Sequence, residues 1–440
     1  MPESNPIKIK APSSKSLSHR ALICASLAQG TSTILDLLQS DDIKRTMDCL
    51  QRLGVKITTS NSKVEVEGKG RNFCFEQPIE LYGGESGTTF RLITGLLCGA
   101  KGQFTFVPKG QMAKRPMDGI EQAVKSTGSQ FTYLKNPKCP PFVLSSLGLS
   151  GDELTVSLEQ SSQYLSGLIL GSVLSPKPVT IYIGGKKVLS WPYVGLTLQV
   201  LKHFGGKFEV EQKTDRGWET IDFTKLTQIT PGKVRFIIYP GSLVAREFRV
   251  EGDFSNASYL LACGVLGTRP ILVQNLNPNS LQGDVAILSI LGQMQAKIKI
   301  LDTGVLVEPS SLRGLEVDMG LCPDLVPTVA VLASLAKGKT IIKNVAHLRI
   351  KESDRLQAMA NEIAKTGTKI EVLPDGLKIE PAEQLEQPVS FTTYDDHRVA
   401  MSLSLYSLKG LKVNLDNPGC VSKSFPDFFT VLDQILKAQN

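Results

Sequence analysis

At 440 residues and 41% apolar content, the chain is too long for one ordinary core and apolar enough for two. Its 49 Lys and Arg against 42 Asp and Glu leave a dispersed net charge of +7 with only 6% aromatics, which disfavours nucleic-acid binding through a basic stripe. There is no 18-residue apolar run, no signal core or Arg-rich transit stretch in MPESNPIKIKAPSSKS, and no CxxC among eight cysteines. A cytoplasmic protein with buried thiols and no membrane span is therefore expected.

In chain order, the first predicted helix lies in SSKSLSHRALICASLAQG. Apolar spacing is helical from Leu17, Ser14 or Ser16 can cap, and Lys15 falls in the first turn. Helix starts leave N–H groups unpaired and favour anions. Ser16 and Arg20, four apart, share a face, although a solvated helix with a capping serine has the same pattern. GGESGTTFRLITGLLCGA repeats the design with glycines at 83, 84 and 87, hydroxyls at 86, 88 and 89, and then Arg91. Small residues there let a backbone approach an anion. Neither GxxxxGK[ST] nor GxGxxG occurs.

AKRP at 113 to 116 adds Arg115. EQSSQYLSGLILGSVL places Ser161, Ser162 and Gln163 at another helix start, and LSWPY supplies Ser190 and Tyr193. These groups suit a phosphate and a polyol, but they are also ordinary caps and turns. LCPDLVPTVAVLASLA sets Asp324 before an apolar helix, as a cap or a general base. RIKESDRLQAMANEIAKTG places Lys351, Glu352 and Arg355 in the first turns of a helix, Lys351 and Arg355 on one face; a surface i to i+4 network is the plainer explanation. YDDHRVAM caps a buried helix with Asp395 or Asp396 and leaves His397 and Arg398 in its first turn.

Each cation-bearing segment alone is weak evidence. Together they describe a site for a small polyanion, drawn from several loops and helix starts. With four histidines, no HExxH and no carboxylate cluster of Mg-site spacing, no metal is expected, and fixed cations take its place.

A second pattern is an amphipathic segment that closes in Gly or a small polar residue and runs straight into a short alternating strand. It recurs as DCLQRLGVKI, QAVKSTGSQF, QVLKHFGGKF, SILGQMQAKI and NEIAKTGTKI, with Gly54, Gly128, Gly205 and Gly367 where a left-handed helix cap belongs. FFTVLDQILKAQ ends a sixth copy. Two groups of three are expected, with the joint near Thr214 to Val250 and a cleft between the halves that opens and closes.

From end to end the chain resembles the EPSP synthase (3-phosphoshikimate 1-carboxyvinyltransferase) family. The resemblance is carried by SKSLSHRAL, GESGTTFRL, AKRPM, SSQYLSGL, SWPY, VEGDFSNAS, LQGD, CPDLVPT, RIKESDRL, DDHRVAM and SKSFPDFF, in the family's order. It implies a mixed α/β (α+β) fold of two similar domains, each three βαβαββ repeats in an inverse half-barrel: residues 1–13 with 247–440, and 14–246. It also implies a cytoplasmic, cofactor-free monomer of the shikimate pathway, acting on small molecules, with no nucleic acid or membrane partner. The reaction would move the enolpyruvyl group of phosphoenolpyruvate to the 5-hydroxyl of shikimate 3-phosphate and release phosphate.

Carried over residue by residue, the resemblance gives Lys15, Arg115 and Lys423, with the Gly87 backbone, to the phosphate of phosphoenolpyruvate. Arg355 and Arg398 take its carboxylate, and Gln163 also lies on this substrate. Shikimate 3-phosphate falls to Lys15, Ser16, Arg20, Ser161, Ser162, Gln163, Ser190, Tyr193, Asp324, His347 and Lys351. Asp324 would take the hydroxyl proton, Glu352 would protonate the methylene carbon, and Lys15 could assist either. Ser13, Glu85, Trp191 and His347 depart from the family's commonest residues, and Glu85 adds a negative charge near a phosphate site. The sister enzyme that uses UDP-N-acetylglucosamine carries Lys-Asn where this chain has Lys15 and Ser16, and usually a reactive Cys in the loop that reads VPKGQMAKRP here. A degenerate anion-binding relative would have lost Asp324, Glu352 or Lys15.

Overall fold

The computed structural model describes residues 5–60, 63–226, 228–386 and 389–439. Contacts divide the chain into a continuous unit, residues 15–250, and a split unit made by its two ends, up to residue 14 and from 251.

The continuous unit holds three copies of one motif. In the plainest, strand Ile79–Gly84 leads through helix Gly87–Cys98 to strand Lys101–Pro108, then through helix Asp118–Ala123 to the strands Gln130–Tyr133 and Phe142–Leu147. The first two strands pair in parallel, Ile79 opposite Phe104, which requires the helical crossover between them. The last strand inserts antiparallel between the second and third. The next copy runs Glu153–Ser157, Gln163–Ser172, Val179–Gly184, Pro192–His203, Phe208–Thr214 and Val234–Ile238, with Gly217–Thr220 as an outer strand. Alternation at Val179, Ile181 and Ile183 buries one face of its sheet.

The remaining copy is completed from far along the chain. Helix Lys15–Ser26 precedes strand Ala28–Leu35, but the strands that lie parallel to it are Leu243–Val244 and Glu247–Arg249, with Leu243 opposite Ala28 and Glu247 opposite Thr33.

Helices Gly87–Cys98 and Gln163–Ser172 approach so closely that a Cβ at Gly95 would stand 2.5 Å from the Gly167 Cα, and one at Gly171 2.2 Å from the Gly95 carbonyl oxygen. Only hydrogen fits at that crossing, and the contact sets the two helix starts side by side.

The split unit repeats the design. Ile7–Lys10 pairs in parallel with Ile271–Gln274, and Lys297–Leu301 and Gly304–Glu308 complete that sheet. The middle copy runs Glu316–Asp318, Val326–Ser334, Thr340–Lys343, Arg355–Ala364, Lys369–Leu373 and Gly376–Glu380. The last has Val389–Phe391, helix His397–Leu403, Val413–Leu415 and helix Phe428–Gln439, without the antiparallel hairpin among the described residues.

Gly54, Gly128, Gly205 and Gly367 have φ of 80°, 81°, 81° and 84°, as their helix-ending positions predict. In the fourth segment Gln295 fills the same place at φ 67°, and the Ala296 N–H closes the turn on the Leu291 carbonyl. The thiols are all free, but not all buried. Cys74 is exposed and Cys139 and Cys420 half-buried; none of the three lies in an α-helix, and Cys420 is in the 3-10 turn Pro418–Lys423. Among the described residues no helix is long and apolar enough to cross a membrane.

Candidate active site

In the continuous unit, the first helix begins at Lys15, whose Nζ lies 3.2 Å from Asp42 Oδ2 at the start of helix Asp41–Arg52. Behind it a buried chain of polar groups links three helices. His19 Nδ1 is 2.7 Å from Thr46 Oγ1, Thr46 Oγ1 is 2.8 Å from Thr89 Oγ1, and the Thr89 hydroxyl reaches the Asp42 carbonyl at 3.3 Å. Burial pushes His19 down from 6.5 to about 3, with Asp42 opposing and Lys15 and Arg20 adding to the effect. His19 is therefore neutral.

Ser86 caps helix Gly87–Cys98 by accepting from the Thr89 N–H at 3.2 Å. Arg91 and Arg115, both buried, converge on the next residue: a Cβ at Gly87 would lie 2.6 Å from Arg115 Nη1 and 2.9 Å from Arg91 Nη1. Arg91 Nη1 also donates to Gln163 Oε1 at 3.2 Å, and Gln163 Nε2 donates to Thr88 Oγ1 at 2.9 Å, so the two crossed helices are stitched at their starts. Glu85 turns its carboxylate to Gly110, at the head of the turn that ends in Arg115: an added Cβ there would stand 2.2 Å from Glu85 Oε1.

Ser161 and Ser162 are buried just before helix Gln163–Ser172, and the Ser161 hydroxyl accepts from the Gln163 N–H at 3.2 Å. Ser190, also buried, has φ 54°. Arg20 is 1% exposed and donates to the Ser16 carbonyl (2.8 Å), Thr197 Oγ1 (2.8 Å), the Tyr193 carbonyl (2.9 Å) and Ser166 Oγ (3.4 Å). Four of its five donors are thereby used within the protein. Burial lowers Arg20 to about 10.

In the split unit, the charged groups gather on Arg355, which is 2% exposed. It donates from Nη1 to Asp324 Oδ1 at 3.0 Å, from Nη2 to Glu352 Oε2 at 2.7 Å, and from Nε to Asp396 Oδ2 at 2.8 Å. Burial alone would lower its pKa, but Asp396, Glu352 and Asp324 together raise it, so it stays charged. Arg398 Nη2 takes the other oxygen of Asp324 at 2.8 Å, and Lys423 Nζ lies 3.5 Å from Glu352 Oε1. Tyr259, pushed up to about 12 by burial, accepts from Arg398 Nη1 at 3.5 Å.

Two expectations about local structure change. Helix Arg355–Ala364 starts at Arg355, because the Asp354 carboxylate caps it by accepting from the Gln357 N–H at 3.1 Å. Lys351 and Glu352 therefore stand outside the helix, in the bend after the 3-10 turn Ala346–Ile350 that holds buried His347, and no helix face is shared by Lys351 and Arg355. Asp324 does not cap helix Val326–Ser334; it sits in the preceding turn Pro323–Leu325, with its oxygens on the two arginines. Asp396 is the cap of helix His397–Leu403, accepting from the Arg398 N–H at 3.0 Å.

Sequence reasoning gave no role to Asp42, to Asp396 beyond capping, or to Asp284 of the LQGD segment. Asp284 is 2% exposed and accepts from the Ser255 hydroxyl. Burial and the charge of Asp324 raise it from 3.8 to about 7 against the pull of Arg398 and Ser255. A lone acid in a polar turn carries no sequence signal of that burial. Among the described residues no cluster of three or more His, Cys, Asp and Glu could hold a metal ion.

A buried guanidinium that orders three carboxylates, and a glycine turn flanked by two buried arginines, are the furniture of polyanion chemistry. Comparison with known proteins agrees. A sequence model of EPSP synthase (3-phosphoshikimate 1-carboxyvinyltransferase) matches residues 6–432. The chain is 37% identical over 432 residues to the 3-phosphoshikimate 1-carboxyvinyltransferase of Photobacterium damsela subsp. piscicida, covering 97% of this chain and 96% of that one. It is 36% identical over 433 residues to the enzyme of that name from Aeromonas salmonicida, covering 98% and 96%. In fold it is similar to EPSP synthase of Acinetobacter baumannii, with a TM-score of 0.73 at 23% identity over 98% of this chain and 97% of that one. The chain belongs to the EPSP synthase family of carboxyvinyltransferases.

Proposed function

We propose that this chain transfers the enolpyruvyl group of phosphoenolpyruvate to the 5-hydroxyl of shikimate 3-phosphate and releases inorganic phosphate, as a cytoplasmic monomer that needs no cofactor. The observation that carries this reading is the placement of Asp324 and Glu352 on separate nitrogens of one buried arginine. The reaction needs one proton delivered to carbon and another removed from oxygen, and two carboxylates held apart on one rigid fork suit those opposite tasks.

In this reading Glu352 gives a proton to the methylene carbon of phosphoenolpyruvate, leaving positive charge at the adjacent carbon. The 5-hydroxyl oxygen bonds to that carbon as Asp324 takes its proton. The bond from the resulting tetrahedral centre to the phosphate oxygen then breaks, the hydroxyl proton held by Asp324 leaves with the phosphate, and a methyl proton returns to Glu352 as the double bond re-forms. Arg355 and Lys423 stand beside Glu352, and anionic substrate bound to those cations would offset their charge.

Arg355 and Arg398 are the proposed ligands of the substrate carboxylate. Lys15, Arg115, Lys423, Gln163 and the Gly87 N–H take its phosphate. Ser16, Ser161, Ser162, Gln163, Ser190, Tyr193, His347 and Lys351 take shikimate 3-phosphate together with Lys15 and Asp324, and Arg20 offers its remaining N–H. The test is phosphate release from phosphoenolpyruvate with shikimate 3-phosphate, with UDP-N-acetylglucosamine, and with neither. Release that requires shikimate 3-phosphate and is lost in Asp324→Ala and Glu352→Gln supports the reading. Release with the sugar nucleotide instead, or with neither acceptor present, defeats it.

A further inference from the structure

Immediately before Asp396 and Arg398, two consecutive residues that are not glycine have left-handed backbones: Tyr394 at φ 55° and Asp395 at φ 53°. An L side chain crowds its own carbonyl there, so such a pair persists only where its surroundings hold it. Helix Arg355–Ala364 supplies the hold at both ends. At its start, Arg355 binds Asp396 through Nε at 2.8 Å and Nη2 at 3.3 Å. Near its end, Glu362, 2% exposed, accepts from the Thr392 N–H at 2.8 Å and the Tyr394 hydroxyl at 3.0 Å, and Lys365 Nζ lies 2.5 Å away. From the other side, Asp416 Oδ1 accepts from Thr393 N at 2.9 Å and Oγ1 at 2.8 Å, while Asn417 Nδ2 donates to Asp395 Oδ1 at 2.7 Å.

We infer that Glu362 and the left-handed pair Tyr394–Asp395 are positioning residues that fix Arg398 against Arg355 and so set the affinity for the substrate carboxylate. The inference deepens the reading above and rests on it. Since Arg355 and Arg398 both bind Asp324, a turn that fixes one relative to the other fixes the spacing of a two-arginine clamp. Pre-organisation of this kind lowers the cost of binding without touching the ligand.

Two variants probe the device independently. Asp395→Gly removes the backbone crowding and the Asn417 contact; Glu362→Gln keeps the side chain's size but loses its charge. Each is expected to raise KM for phosphoenolpyruvate by about tenfold, with kcat and KM for shikimate 3-phosphate within about twofold of wild type. In Asp395→Gly the Tm should stay level or rise. Asp395→Asn, which keeps an acceptor and tolerates the left-handed region, should restore the wild-type KM. An unchanged KM for phosphoenolpyruvate in Asp395→Gly overturns the inference, whether or not Glu362→Gln folds. Arg398→Lys separates the two levels. If it raises KM for phosphoenolpyruvate while the turn variants do not, the inference alone fails; if it leaves that KM unchanged, the carboxylate reading fails and takes the inference with it.

Discussion

Arg355 donates to Asp324 at 3.0 Å from Nη1, which leaves the far oxygen of Asp324 to Arg398 at 2.8 Å. The proposed base is thus aligned by two cations before any substrate arrives. An amide in its place keeps one acceptor oxygen for one arginine, turns its NH2 to the other, and cannot take a proton. Asp324→Asn should therefore lower kcat by about 100- to 10,000-fold, the usual worth of a positioned general base, and change KM for phosphoenolpyruvate as well, because one arginine of the clamp loses its acceptor. Steady-state phosphate release measures both, and a kcat within tenfold of wild type would remove Asp324 from proton transfer.

The turn at Gly87 leaves no room for a methyl group. With Arg115 Nη1 at 2.6 Å and Arg91 Nη1 at 2.9 Å from where a Cβ would stand, Gly87→Ala must push at least one guanidinium aside. Overpacking of this kind costs about 1–3 kcal/mol, so KM for phosphoenolpyruvate should rise by about fivefold or more, while the Tm falls only slightly because the helix itself gains a better helix former. An unaltered KM would place the phosphate elsewhere.

Gln295 is the non-glycine member of a set of helix-ending positions with φ near 80°, itself at 67°. Gln295→Gly relieves the left-handed crowding at some cost in unfolded-chain entropy, for a net stabilisation of about 0.5–1 kcal/mol. Urea unfolding at fixed m-value would read it directly. Destabilisation would mean that the glutamine side chain contributes more than its backbone costs.

Asp284 predicts a pH dependence of stability. Its folded pKa of about 7 lies above the ordinary 3.8 through burial first and the charge of Asp324 second. Between those values the folded protein holds a proton that the unfolded chain has shed, so this group makes stability fall as pH rises through the window and adds no further loss above it. Asp284→Asn does not titrate. Its advantage over wild type should be largest above pH 7 and fade toward pH 4. Thermal unfolding of both proteins at several pH values tests this, and parallel curves would refute it.

Much of the architecture can be read in the chain because glycine has a distinctive use at helix ends. Gly54, Gly128, Gly205 and Gly367 mark repeat boundaries from sequence spacing alone, and the segments bearing Lys15, Gly87, Gln163 and Arg398 do begin helices. What the sequence does not carry is the assignment of each polar atom. Arg20 has the residue type and neighbours of a ligand, yet it is largely occupied by partners up to 177 positions away. Asp324 has the sequence signature of a cap because caps are local and its two arginines are not. Lys351 and Glu352 look helical in the sequence because nothing in RIKESDR distinguishes Asp354, the residue that caps the helix, from its charged neighbours.

The strand pairings also govern the order in which the molecule is made. The sheet edge at Ala28–Leu35 waits for Glu247–Arg249, and Ile7–Lys10 waits for Ile271–Gln274. A nascent chain leaving the ribosome thus exposes two unpaired strand edges while more than two hundred residues are still being added, the interval in which edge-to-edge association competes with folding. Carrying the first strand to the far end by circular permutation would shorten that interval for one edge and leave the other as it is.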